Sequence, residues 1–154
     1  MTAEVVVAVE VDAPPEVVWD AVTDWPRQSQ WMLGTTVRAT TAGGVGLGGG
    51  IEAYTGIGRV GFLDPMVITE WDPPRRCVVR HTGRVVRGDG VFEVLALPLG
   101  RSRFVWSEVL QIPGGWLGRL GWPVVAPAFV LGVRRSLQSL ADDVGREHAN
   151  SHGR

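Results

Sequence analysis

The chain has 154 residues, 45% hydrophobic and 20% charged, which suits one folded domain and excludes a disordered or low-complexity polypeptide. Fifteen basic residues, all arginine, stand against 16 acidic ones for a net charge of -1, so no broad basic field favours nucleic acid, and Schiff-base chemistry has no lysine to use. Cys77 is the only cysteine, which rules out an internal disulfide and a Cys-based zinc site and fits a reduced, cytoplasmic setting.

Residues 1–4 carry neither the positive flank nor the apolar run of an export signal. From Glu4 to Asp12, valines at 5, 7, 9 and 11 alternate with other residues at the period of a strand. Ala13-Pro14-Pro15 ends it, and Pro15 suits the first turn of a helix on which Val18, Ala21, Val22 and Trp25 share a face. Pro26 breaks that helix, and residues 27–31 allow a second short one. Thr35 to Thr41 and Ile51 to Ile57 read as strands around Gly43 to Gly50, a run with six glycines. That run leads into β-branched sequence without a lysine, so it predicts a hairpin or bulge and not a phosphate loop.

Met66 to Trp71, Cys77 to Thr82, Val85 to Leu97 and Arg103 to Ile112 follow as strands separated by Gly, Pro or charged turns, a pattern of an antiparallel meander. From Trp116 the period lengthens. Phe129, Val133, Leu137, Leu140 and Val144 trace one apolar stripe of a long terminal helix, with a frayed tail expected over residues 148–154. Leu120 to Val133 is uncharged, but at 14 residues, with Pro123 and Pro127 inside, it falls short of the roughly 20 residues of a membrane span. A buried helix is expected there, and no integral membrane segment.

Strand, two short helices, about six further strands and a long helix, carrying Val9 to Trp19, Asp24-Trp25-Pro26, Ile68 to Arg76, His81-Thr82-Gly83, Gly88-Asp89-Gly90 and Ser102 to Glu108, resemble the SRPBCC superfamily. Its polyketide cyclase/dehydrase or lipid-transport-like members are the nearest in pattern. The resemblance implies an α+β helix-grip (START-like) fold over residues 1–147. In it a curved antiparallel sheet of about six to seven strands wraps the terminal helix around a cavity for a hydrophobic ligand. No metal or cofactor is expected. His148 and His152 have helical spacing but no supporting carboxylates, Cys77 has no activating neighbour, and no Gly-x-Ser-x-Gly elbow exists.

Strand parity sorts the candidate lining. Phe104, Trp106 and Glu108 share a face of the last strand, Phe92 faces the same side on the strand before, and an outward Arg80 turns Val79 and His81 inward. Trp31, Phe129 and Val133 are added from the helices. Tyr54 and Trp71 are added with less decisive parity, since one bulge reverses an assignment. Trp19 and Trp25 read as packing anchors, whereas Trp116 and Trp122 suit an entrance, a partner or a membrane surface. The leading expectation is a binding protein for a small hydrophobic or lipid-like molecule. An aromatase, cyclase or dehydratase using His81 and Glu108 as an acid-base pair is the alternative, and a partner-binding module is a third.

Overall fold

Alternating valines place Val5, Val7 and Val11 of β1 (Thr2–Val11) inside the protein, in a computed structural model that describes residues 2–112 and 114–153. Pro15 opens α1 (Pro15–Thr23), whose inner face buries Val18, Trp19, Ala21 and Val22. A single 3-10 turn, Trp25–Arg27, leads into the short α2 (Gln28–Trp31). Six strands follow: β2 (Thr35–Ala39), β3 (Gly50–Ile57), β4 (Val60–Asp72), β5 (Arg76–His81), β6 (Gly88–Leu97) and β7 (Arg101–Gln111). The chain then turns into α3 (Gly115–His152).

The seven strands form one antiparallel sheet in the order β1-β7-β6-β5-β4-β3-β2. Its concave face holds α3 and the short helices, which is the helix-grip architecture that the sequence pattern implies. Val133, Leu137, Leu140, Ala141 and Val144 seal α3 to the sheet, and Phe104, Ile68 and Val11 lie beneath them almost without exposed surface. Ser136 fastens the helix laterally: its Oγ accepts from the Leu33 amide at 3.1 Å and donates to the Gly132 carbonyl at 3.0 Å.

Three features differ from the sequence expectation. β4 begins at Val60, not Met66, and runs through Pro65, because β5 ends opposite Met66 and a missing N–H beyond that point interrupts no ladder to β5. The helix continues to His152, past the predicted start of fraying, with His152 Nδ1 3.0 Å from the His148 carbonyl. The third concerns Leu120 to Val133. This stretch is helical throughout but largely exposed ahead of Val133, with Leu120 at 67%, Val124 at 79% and Val125 at 57% exposure. A helix of 38 residues is about 57 Å long whereas an 11-residue strand reaches about 36 Å, so the sheet runs out before the helix does.

The glycine run forms a tight loop, with positive φ at Gly43, Gly44, Gly46 and Gly48. Gly44 has a second constraint. Trp25 Nε1 donates to its carbonyl at 2.7 Å, and a Cβ there would lie 2.8 Å from the indole.

A candidate ligand cavity with a buried Asp–His–Glu cluster

A cavity of about 330 Å³ lies between the sheet and α3. The helix side explains why it exists. Ala128, Gly132 and Ser136, spaced by four, set three small side chains in line along the helix wall, and a Cβ added at Gly132 would meet nothing within 4 Å. Phe129 and Val133 flank that line, and Ala128 and Leu33, both exposed, mark the mouth between α3 and the α2–β2 turn.

The sheet side carries the chemistry. Asp64 on β4, His81 on β5 and Glu108 on β7 are all buried, at 7%, 8% and 8% exposure. His81 sits between the two carboxylates, with Nδ1 2.8 Å from Asp64 Oδ2 and Nε2 2.9 Å from Glu108 Oε2. β5 and β7 are not neighbours; β6 separates them, so their side chains span about 10 Å of backbone. They meet because β6 offers no side chain there. Gly88 pairs with His81 and Gly90 with Glu108, and a Cβ on Gly90 would fall 2.8 Å from Glu108 Oε1.

Burial by itself lowers the His81 pKa, but hydrogen bonds and attraction from Asp64 and Glu108 outweigh it and lift the value to about 10. With its charged form favoured in this way, the ring is placed to donate an N–H to each carboxylate. Burial raises the Glu108 pKa, and the contact with His81 opposes that rise. Asp64 Oδ1 is buried without a hydrogen-bond partner. Cys77, also on the wall, is inert: burial, then Glu70, push its thiol up to about 12. Among the described residues no group of three or more His, Cys, Asp or Glu is arranged to hold a metal ion.

Seven of the residues singled out from sequence reach the cavity wall: Val79, His81 and Glu108, with Phe92 and Trp106 from the sheet and Phe129 and Val133 from the helix. Four do not. Phe104 lies under Phe92, edge to face at 5.3 Å between ring centres, and has no exposed surface. Trp31 is buried in the core with its Nε1 unpartnered. Tyr54 points to the convex side, since Ile51 and Ala53 turn inward; its hydroxyl donates to the Gly58 carbonyl at 2.9 Å. Trp71 does turn inward, because a bulge between Ile68 and Glu70 shifts the register, but it packs against Trp19 away from the cavity. Trp25, read as packing, also lines the cavity. Asp64 was missed because the sequence reading started β4 after it. Its alternation with Phe62, Met66 and Ile68 was the available signal.

A sheet gripping one long helix around an apolar hollow defines a helix-grip protein with an internal cavity. The chain belongs to the polyketide cyclase/dehydrase and lipid transport family, which matches residues 2–145. Among solved structures it is similar to the Zhui aromatase/cyclase from Streptomyces sp. R1128, with 15% identity, a TM-score of 0.77 and 99% of each chain covered. It is also similar to a protein from Thermus thermophilus, with 18% identity, a TM-score of 0.75 and coverage of 92% of this chain and 97% of that one. A Thermobifida fusca protein solved in solution has 21% identity and a TM-score of 0.66, with 93% of each chain covered. At these identities the likeness is one of fold. No protein of curated function matches in sequence.

Proposed function

We propose that the protein binds a small hydrophobic molecule in the cavity between the sheet and α3, with a polar group of that molecule set against the Asp64–His81–Glu108 cluster. The observation that carries this reading is the cavity itself. At about 330 Å³ it falls within the roughly 300–1,000 Å³ of ordinary ligand sites, and like them it combines an apolar lining with a few convergent polar groups. Native mass spectrometry of freshly purified protein tests the reading, and a co-purified apolar species of fixed mass supports it. Thermal shift against fatty acids, isoprenoids and polyaromatics is the companion experiment. No bound species and no shift with any of them would overturn the reading.

A second reading, an aromatase/cyclase or dehydratase acting on a polyketone, is favoured by one observation: a histidine held between two carboxylates on a cavity wall. His81 would act as the acid toward a substrate oxygen, and Glu108, released from its hydrogen bond, would act as the base. Both ring N–H groups are already engaged, so this chemistry requires the substrate to displace one carboxylate, whereas binding requires no such rearrangement. Glu108→Gln and His81→Asn should then abolish turnover while ligand affinity persists. Unchanged turnover in both removes the reading.

A further inference from the structure

The first turns of α3 line no part of the cavity: none of Gly115 to Pro127 reaches its wall. From Gly115 to Val133 its single charged residue is Arg119, and Trp116, Leu117, Leu120, Val124 and Val125 are between 57% and 79% exposed. The buried half has the opposite texture, with Arg134, Arg135, Gln138 and Asp142 on its outer side. A helix that is apolar on its outer side as well as its inner one needs a non-aqueous neighbour.

Topology gathers more of the same material at that end. The β3–β4 hairpin, the β5–β6 loop and the β7–α3 junction all leave the same end of the sheet, since β4 pairs antiparallel with β5 and Gly88 of β6 lies opposite both His81 and Leu110. The hairpin tip exposes Ile57 at 88% and Val60 at 82% around Arg59, and the loop exposes Val85 at 52% between Arg84 and Arg87. None of Arg59, Arg84, Arg87 and Arg119 has an ion-pair partner among the described residues. Residues 53–63, 82–88 and 109–141 contain no Asp or Glu. Of the carboxylates on the neighbouring strand ends, Asp89 is paired with Arg80 at 2.9 Å, and Glu4 lies on the edge strand β1.

We infer that this end of the molecule, formed by the first turns of α3 with the 57–60 hairpin tip and the 82–87 loop, docks on an anionic phospholipid bilayer. The apolar side chains enter the headgroup boundary and the arginines face lipid phosphates, the division of labour of an interfacial helix. Charge selects this occupant over a second copy of the chain, because two such ends brought face to face would set unpaired arginine against unpaired arginine. The mode is peripheral, since Leu137, Leu140 and Val144 hold the rest of α3 to the sheet. Trp122 and Phe129, with ring centres 6.2 Å apart, connect this surface to the cavity, where Phe129 meets Trp106 at 6.1 Å. Docking at this end requires nothing of what the cavity holds.

Co-sedimentation of the full chain with vesicles of phosphatidylcholine alone, and of phosphatidylcholine with phosphatidylglycerol, tests it. Binding is expected only to the anionic vesicles and should weaken as salt rises. Arg59→Ala and Arg119→Ala should each lower partitioning about five-fold. Trp116→Ser combined with Leu120→Ser should lower it about ten-fold or more, with circular dichroism and melting temperature unchanged because neither side chain is in the core. Gly132→Leu, which places a bulky side chain on the cavity wall, should bind vesicles like the wild type, separating this inference from the ligand-binding reading. Binding to neither vesicle, equal binding to both, or a self-association that Trp116→Ser abolishes would overturn it.

Discussion

The two walls of the cavity are built on different principles. The sheet wall is polar at its centre: three ionisable side chains from three strands meet over glycines of a fourth. The helix wall has no charged group, and its contribution is a line of absent side chains at Ala128, Gly132 and Ser136. One wall supplies chemistry and the other supplies room. Changes to the first should therefore register in stability and proton binding, and changes to the second in ligand affinity.

The largest effect is expected on the sheet wall. His81→Ala leaves Asp64 and Glu108 facing each other without their cation, and removing one member of a buried ionic cluster costs about 3–5 kcal/mol, read by urea unfolding at neutral pH. A loss below about 1 kcal/mol would show that the cluster is not held as an imidazolium. Close behind comes the anchor of the helix wall, where Leu137→Ala should cost about 2–5 kcal/mol, against at most about 0.5 kcal/mol for the exposed Leu120→Ala. Equal costs would contradict the division of α3 into packed and unpacked halves.

Proton linkage sharpens the contrast. His81 has a folded pKa of about 10, above its ordinary value near 6.5, so the folded state holds the extra proton. Its stabilisation is complete below about pH 6.5 and lost as pH rises toward 10. The melting temperature should fall over that window in the wild type and fall less in His81→Asn. A flat wild-type profile would contradict the assignment. A stability effect of opposite sign is expected on the helix wall. Gly132→Leu removes a helix-interior glycine and should stabilise by up to about 1 kcal/mol while abolishing binding.

Most of the architecture was legible because period-two alternation and proline-glycine punctuation are local signals. Valines 5 to 11, the shared face of Phe104, Trp106 and Glu108, and the stripe from Phe129 to Val144 follow from them directly. The candidate site was legible only in part, for identifiable physical reasons. A proline in a strand ordinarily marks its end, so Pro65 concealed Asp64, although the register beyond β5 tolerates it. The bulge that turns Trp71 inward has no sequence mark. Small residues spaced by four at Ala128, Gly132 and Ser136 were readable, but periodicity arguments look for bulk, and a cavity is written in its absence. Apolar content over Leu120 to Val133 reported helix correctly but burial only at Val133, because burial depends on the reach of the partner sheet, which that segment does not encode.

Titration with N-phenyl-1-naphthylamine, an apolar dye whose emission rises on leaving water, tests the central claim most directly. Saturable binding at one site per wild-type chain, lost in a folded Gly132→Leu variant, is the predicted result. Equal binding by both proteins, or none by either, would contradict a ligand cavity between the sheet and α3.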